Sequence, residues 1–385
     1  MTHTYRPAQL LWRVLAVPLM LAGVLTGLGQ NAASAAACQN WPGSQQPSPG
    51  TADNSLSGVA VLSACDAWAV GSYRSGGPSQ TFTEHWDGAS WTVVPSPSPG
   101  STGNGLTSVR AVSPTDIWAV GVFSNSSVDH TLILHWNGNA WTQVPSPSPG
   151  SSFSELTAVR TQSASDAWAV GDYSSGGGDR SLILHWNGTN WKQVASPNPG
   201  AFNDLGGVAA TSASDAWAVG ELSNGLGEKT LILHWDGRKW AHVASPGPGN
   251  DNNLSSVAAT SASNAWAVGF SINSTAQALI LHWNGTTWMQ VPSPPAQAGN
   301  STLLSGVTAT STSNAWAVGF SATSTEEGPL ILRWNGSRWA NVASPSPGGN
   351  NSLLSGVAAT SAGNAWAVGR FSTTVVGQAL AIHCC

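Results

Sequence analysis

Roughly once every fifty residues, the chain repeats a small set of side chains that could do chemistry. His85, His135, His185, His234, His282 and His383 end short apolar runs, with Arg333 in the one remaining place. Asp66, Asp116, Asp166 and Asp215, then Asn264, Asn314 and Asn364, each stand two residues before a tryptophan. Histidine and carboxylate together are the raw material of acid–base catalysis or of metal binding. The repetition argues against both. Residues placed once per repeat around a ring stay far apart and cannot converge on one ion. Exchange of Asp for Asn would also destroy an acid or base, whereas both types can accept a backbone N–H two residues on and close a turn. The acids are therefore expected to cap turns and the histidines to make structural hydrogen bonds. No metal site is expected. No phosphate loop, dinucleotide fingerprint or calcium loop appears, so no cofactor is expected either.

Residues that break the repeat are better candidates for binding. Arg110 and Arg160 stand where the other repeats carry Ala60, Ala209, Ala258, Thr308 and Ala358. Two neighbouring guanidinium groups could bind a carboxylate or phosphate, or could pair with acids such as Glu155 or Asp172. Tyr73, Phe123, Tyr173, Phe270 and Phe320 follow the repeated Ala-Val-Gly and could meet a ligand. Glu84 takes the place of an apolar residue in the first repeat.

The elements that must position these residues follow from the period. Trp68, Trp118, Trp168, Trp217, Trp266, Trp316 and Trp366 are spaced 49 or 50 residues apart, a period that marks a propeller, solenoid or array. Each unit reads as four short strands. In the fifth these are "LSSVAAT" (a), "AWAVGF" (b), "ALILHW" (c) and "TTWMQVPSP" (d), with "NG" as a tight turn between c and d. No helical period appears after the first 37 residues. The expected fold is all-β: a seven-bladed β-propeller with four antiparallel strands per blade. Strand a is innermost, so Arg110 and Arg160 would line the channel. The b–c and d–a loops share one face, and variation there is where specificity usually sits. The recurring strand-b tryptophans are expected to pack between blades rather than stack on sugars.

The chain stops at "ALAIHCC", one strand short of a seventh blade. The missing strand d is supplied at the other end, where "CQNWPGSQQPSPG" matches "WTQVPSPSPG" and makes Trp41 the seventh copy. The ring is expected to close by pairing residues 38–50 with the C-terminal strand. Cys38, Cys384 and Cys385 then fall at one broken hairpin, and Cys65 in the a–b turn of the neighbouring blade. Two disulfides are expected across that seam. Free thiols, or a four-thiolate zinc site, are the alternatives.

Residues 1–37 read as a signal peptide: Arg6 and Arg13, an apolar run too short for a membrane span, then small residues. The remainder, 38–385, is expected to be one secreted, monomeric propeller. "AAAC" is also similar to a lipobox, which would leave a surface-anchored lipoprotein through Cys38. With 13 basic residues against 18 acidic, a nucleic-acid partner is not expected.

Two repeat families resemble this pattern. The period, the glycine after strand b and the tryptophan of strand d are similar to kelch-type propellers, although kelch repeats carry a glycine pair. "DAWAVG…LILHWDG..W" more closely resembles the degenerate Asp-box (BNR-type) repeats of bacterial exported propellers and photosystem assembly-factor propellers. "HWDGASW" and "HWDGRKW" place Asp87 and Asp236 in the c–d turn, without the leading serine. The resemblance implies the fold over the whole of 38–385. Sialidases share it, but they use an arginine triad and a tyrosine nucleophile, and this chain offers Tyr73, Tyr173 and paired arginines at best. The expected function is therefore non-catalytic binding of a glycan, peptide or cell-wall component on the variable face. A protein-interaction or surface-assembly scaffold is the alternative.

Overall fold

A computed structural model describes residues 41–44, 46–295, 300–323, 325–347, 351–372 and 376–384. The signal-peptide expectation, with Cys38 and Cys385, lies outside the described residues. All described regular structure is β, and no helix is long and apolar enough to cross a membrane. Blade 1 has strand a at Asp53–Ser63, b at Asp66–Arg74, c at Gln80–Trp86 and d at Trp91–Val93. Blades 2 to 6 repeat this as five separate four-stranded antiparallel sheets in the order a-b-c-d. Blade 7 has a at Ser352–Ser361, b at Asn364–Ser372 and c at Gly377–Cys384. Its strand d is Gly43–Ser44, which pairs antiparallel with strand c as Gly43↔Ile382 and Ser44↔Ala381. The ring is a seven-bladed propeller closed by the two ends of the chain.

The core lies between blades. Each strand-b tryptophan meets the strand-d tryptophan of the following blade edge to face, at 5.0–5.5 Å between ring centres. This places the positive edge of one ring on the negative face of the other. Trp41 makes the same contact with Trp316 and is 2% exposed, so the seam is packed like the other interfaces. Six blades add the last tryptophan of strand c to the stack, as in Trp136 on Trp68 at 4.8 Å. In blade 7 that place is Cys384, which sits in the same apolar cluster as Trp41 and Trp316.

Strand a carries a β-bulge in every blade, between Leu56 and Gly58 in the first. Small residues beside the bulge let the seven strands approach the axis. A Cβ on Gly58 would come within 2.9 Å of the Ser108 Cα, and one on Gly207 within 2.8 Å of the Ser256 Cα. At this waist Thr107 Oγ1 donates to the Leu156 carbonyl of the next blade at 2.7 Å. The channel there is narrow, about 90 Å³, and is lined by strand a of all seven blades.

Three local expectations are corrected. The c–d connection is a four-residue loop, because Trp86 pairs with Trp91, and only its glycine has positive φ (96° at Gly88). The Asp or Asn of that loop accepts two backbone N–H bonds, as at Asp87 from Ala89 and Ser90, which lowers the Asp87 pKa. Second, the a–b turn is capped by a serine, as where Ser63 Oγ accepts Cys65 N–H, and not by the acid before strand b. Third, the expectation of two disulfides fails at Cys65, a free and exposed thiol. It packs over Gly88 of its own blade, 2.9 Å from where a Cβ would stand, as Thr115, Ser165, Ser214, Ser263 and Ser313 do in theirs. Its side chain is thus packed on its own hairpin. Cys384 is buried and does not titrate as a free thiol.

Candidate functional site

The repeated histidines and acids form one unit per blade. His85 Nε2 bonds Asp66 Oδ1 at 3.0 Å while its ring stacks on Trp68 at 4.5 Å. Antiparallel register explains the meeting, since Trp68 lies opposite His85 across strands b and c. Five more blades repeat it, with Asn264 and Asn364 replacing the acid for His282 and His383. Asn264, Asn314 and Asn364 then donate to a threonine hydroxyl four residues earlier. In blade 6, Arg333 lies over the Trp316 ring at 5.1 Å instead. These units fasten the a–b turn to strand c. Among the described residues, no three His, Cys, Asp or Glu side chains converge closely enough to hold a metal ion.

At the other end of the strands the repeat breaks down. The residue before the strand-a leucine faces the residue after the strand-b glycine. The pairs, blade by blade, are Ser55–Ser72, Gly105–Val122, Glu155–Asp172, Asp204–Glu221, Asn253–Phe270, Leu303–Phe320 and Leu353–Arg370. Blades 1 and 2 thus present small side chains, blades 3 and 4 four carboxyls, and blades 5 and 6 two phenylalanines and a leucine. The set faces the next blade in order: Asn253 Nδ2 of blade 5 donates to Glu221 Oε2 of blade 4 at 2.8 Å.

The four carboxyls share a poorly solvated space. Asp172 is only 6% exposed. Burial, then the charges of Glu155, Asp204, Asp179 and Glu221, push its carboxyl up to about 8. Burial first, then Asp179, Glu155 and Glu228, raises Asp204 to about 6. Glu155 is raised chiefly by burial, against a hydrogen bond from Asp172 that lowers it. Glu155, Asp172 and Asp204 cannot all ionise cheaply without a cation. An ammonium or guanidinium ligand would supply one.

The sequence-nominated aromatics divide between two faces. Tyr73, Phe123 and Tyr173 pack into the clusters between blades. Phe270 and Phe320 stand one position earlier in their strands, so they point to the opposite face and join the mouth. Phe123 also stacks near His130 at 5.1 Å, beside a recess of about 380 Å³ with Gln143, Ser146 and Ser148. Arg110 and Arg160 lie toward the opposite end of the channel. Each is opposite a strand-b tryptophan, and neither forms a salt bridge with Glu155 or Asp172. The carboxyl group itself escaped the sequence reading. Its members are about 17 residues apart within a blade and 49 between blades, and only the strand register brings them together. Superposing the seven repeats would have exposed the two varying columns.

Four of the d–a loops on this face are held by one asparagine pattern. Asn104 Oδ1 accepts Gly100 N–H at 2.6 Å, and its Nδ2 donates to the Gly100 and Ser79 carbonyls. Asn54, Asn203 and Asn252 do the same in their blades. Blade 3 uses Ser154 in that place, so variation on this face is carried by the b–c loops, by some d–a loops and by the paired ring beneath them.

No family model matches the chain, and no curated protein matches its sequence. Solved structures do. YCF48 bound to D1 peptide superposes with a TM-score of 0.57 at 15% identity, over 91% of this chain and 98% of that one. YCF48 from Cyanidioschyzon merolae gives 0.54 at 14%, over 90% and 98%. The GH74 xyloglucanase from Xanthomonas campestris gives 0.54 at 13%, over 85% of this chain and 53% of its own. At these identities the likeness is one of fold, and the fold is the β-propeller.

Proposed function

We propose that this protein is an exported, non-catalytic binding propeller. Its ligand is a peptide segment that sets a lysine or arginine beside an apolar side chain, docked across the mouth on the b–c/d–a face. The single observation that carries the reading is the contrast in repetition. The strand-b and strand-d tryptophans of the interblade core recur in every blade, while the paired ring at the mouth changes from carboxyl to aromatic across adjacent blades. The cation would sit against Glu155, Asp172, Asp204 and Glu221, and the apolar group against Phe270, Leu303 and Phe320. A propeller of the same fold in complex with a peptide supports the reading. The raised carboxyl pKa values add a pH dependence: a cationic ligand displaces protons, so affinity rises with pH between about 6 and 8.

The test is an immobilised peptide array of basic, acidic and neutral sequences, probed with wild type and with Asp172→Asn/Asp204→Asn. Retention of basic–apolar peptides by wild type alone supports the reading. Equal retention of acidic peptides, or none of any class, sinks it, and hydrolysis of a supplied polysaccharide overturns the non-catalytic part. The recess beside Phe123 and His130 favours a second reading, a sugar ring stacked on the aromatic pair. A glycan array with Phe123→Ala as control addresses it.

A further inference from the structure

The lower half of the channel holds two positive charges with no visible counter-charge. Arg110 and Arg160 occupy equivalent places in strand a of adjacent blades. Their Nε atoms are buried and have no hydrogen-bond partner. Arg110 Nη1 donates to the Val59 carbonyl of blade 1 at 3.2 Å, a neutral acceptor. No acid contributes to the electrostatics of either group. Burial, and then the charge of Arg160, brings Arg110 down to about 10, and burial alone lowers Arg160. Glu155, the acid on the same strand, is five residues from Arg160, about 16 Å along an extended chain. The waist at Gly58 and Gly207 lies between the two levels. Four alanines and a threonine stand at this level in the other five blades, and Arg110 itself lines the channel cavity.

Like charges taken out of water together are unfavourable unless an anion joins them. A planar guanidinium pair matches the oxygens of a carboxylate or phosphate through paired N–H donors. We infer that the channel below the waist is an oxyanion site, with Arg110 and Arg160 as its ligands, entered from the face of the a–b and c–d turns. It takes a carboxylate or phosphate group, and it is independent of the cation-binding mouth.

The test follows the melting temperature of the purified protein in sodium phosphate and, separately, sodium acetate, at an ionic strength held with sodium chloride. Wild type is expected to show a saturable rise, and Arg110→Ala/Arg160→Ala none. That variant copies the alanine of the other blades, and near-ultraviolet circular dichroism checks that it folds. Arg160→Lys, which keeps the charge but loses the fork, is expected to weaken the response at least tenfold. A peptide with a free C-terminal carboxylate, set against its amidated form, distinguishes a chain end from a free ion. Asp172→Asn should keep the whole response, so failure here and failure of the mouth reading are separable. A response equal in wild type and the double alanine variant overturns the inference, as does its absence in wild type.

Discussion

The body of the propeller and its mouth are built from the same strands under opposite rules. In the body one arrangement is copied seven times: a strand-b tryptophan, the strand-d tryptophan of the next blade, and a histidine or arginine stacked in register. At the mouth the paired residues change from blade to blade, and burial together with neighbouring acids raises the carboxyls of Asp172 and Asp204. Stability is concentrated where the sequence repeats, and charge that a ligand could neutralise is concentrated where it does not.

The largest effect should come from breaking the body. Trp217→Ala removes a buried ring that meets Trp283, Trp288 and His234, and should cost about 3–5 kcal/mol by denaturant unfolding. Phe320→Ala at the mouth should cost about 1 kcal/mol or less, because that ring is half-buried and lies outside the interblade clusters. Equal costs would erase the distinction between the two regions.

Glu84 is an exception within the body and sharpens the contrast. It is 0% exposed, both carboxyl oxygens lack partners, and burial pushes it up to about 9. It occupies the place of Leu134 and Leu184, and the facing blade 7 has Ala381 where blades 2 to 6 carry an isoleucine. A carboxyl raised in the folded state binds its proton more tightly there. Its stability contribution is therefore complete below about pH 4 and is lost as pH rises toward 9. Glu84→Leu should stabilise the protein by at least about 3 kcal/mol at pH 7, and the gain should fall by about that amount at pH 4. A gain that does not depend on pH would contradict the neutral buried carboxyl.

Asp172→Asn should lower affinity for a basic peptide at least tenfold without loss of stability. It should even stabilise the free protein near pH 8, since the carboxyl it replaces resists ionisation. A destabilised variant would mean that the acid supports the fold. The smallest effect is expected at Cys65→Ser, within about 0.5 kcal/mol, because four other blades hold serine over the same turn glycine. Failure of iodoacetamide to label Cys65 in the native protein would contradict its free state.

The architecture was legible because propeller blades advertise themselves. The tryptophan period, and the match of Trp41 to the strand-d tryptophans, foretold the closed ring down to the strand that completes blade 7. The site was less legible because it depends on which face a side chain takes. Phe270 and Phe123 both follow the strand-b glycine, but one residue of offset sends one to the mouth and the other into the interblade core. The turn acids showed the same limit. Their Asp–Asn exchange pointed correctly to hydrogen bonding, but the partner, a histidine 18 or 19 residues away, is set by strand pairing.

One titration tests the central claim most directly. A fluorescent peptide carrying a Lys-Phe pair, and its Glu-Phe counterpart, would be titrated with the purified protein by anisotropy at pH 5.5 and 8.5. The account predicts binding of the lysine peptide that is at least tenfold tighter at pH 8.5, and none of the glutamate peptide. Binding that ignores both pH and the charge of the peptide would contradict it.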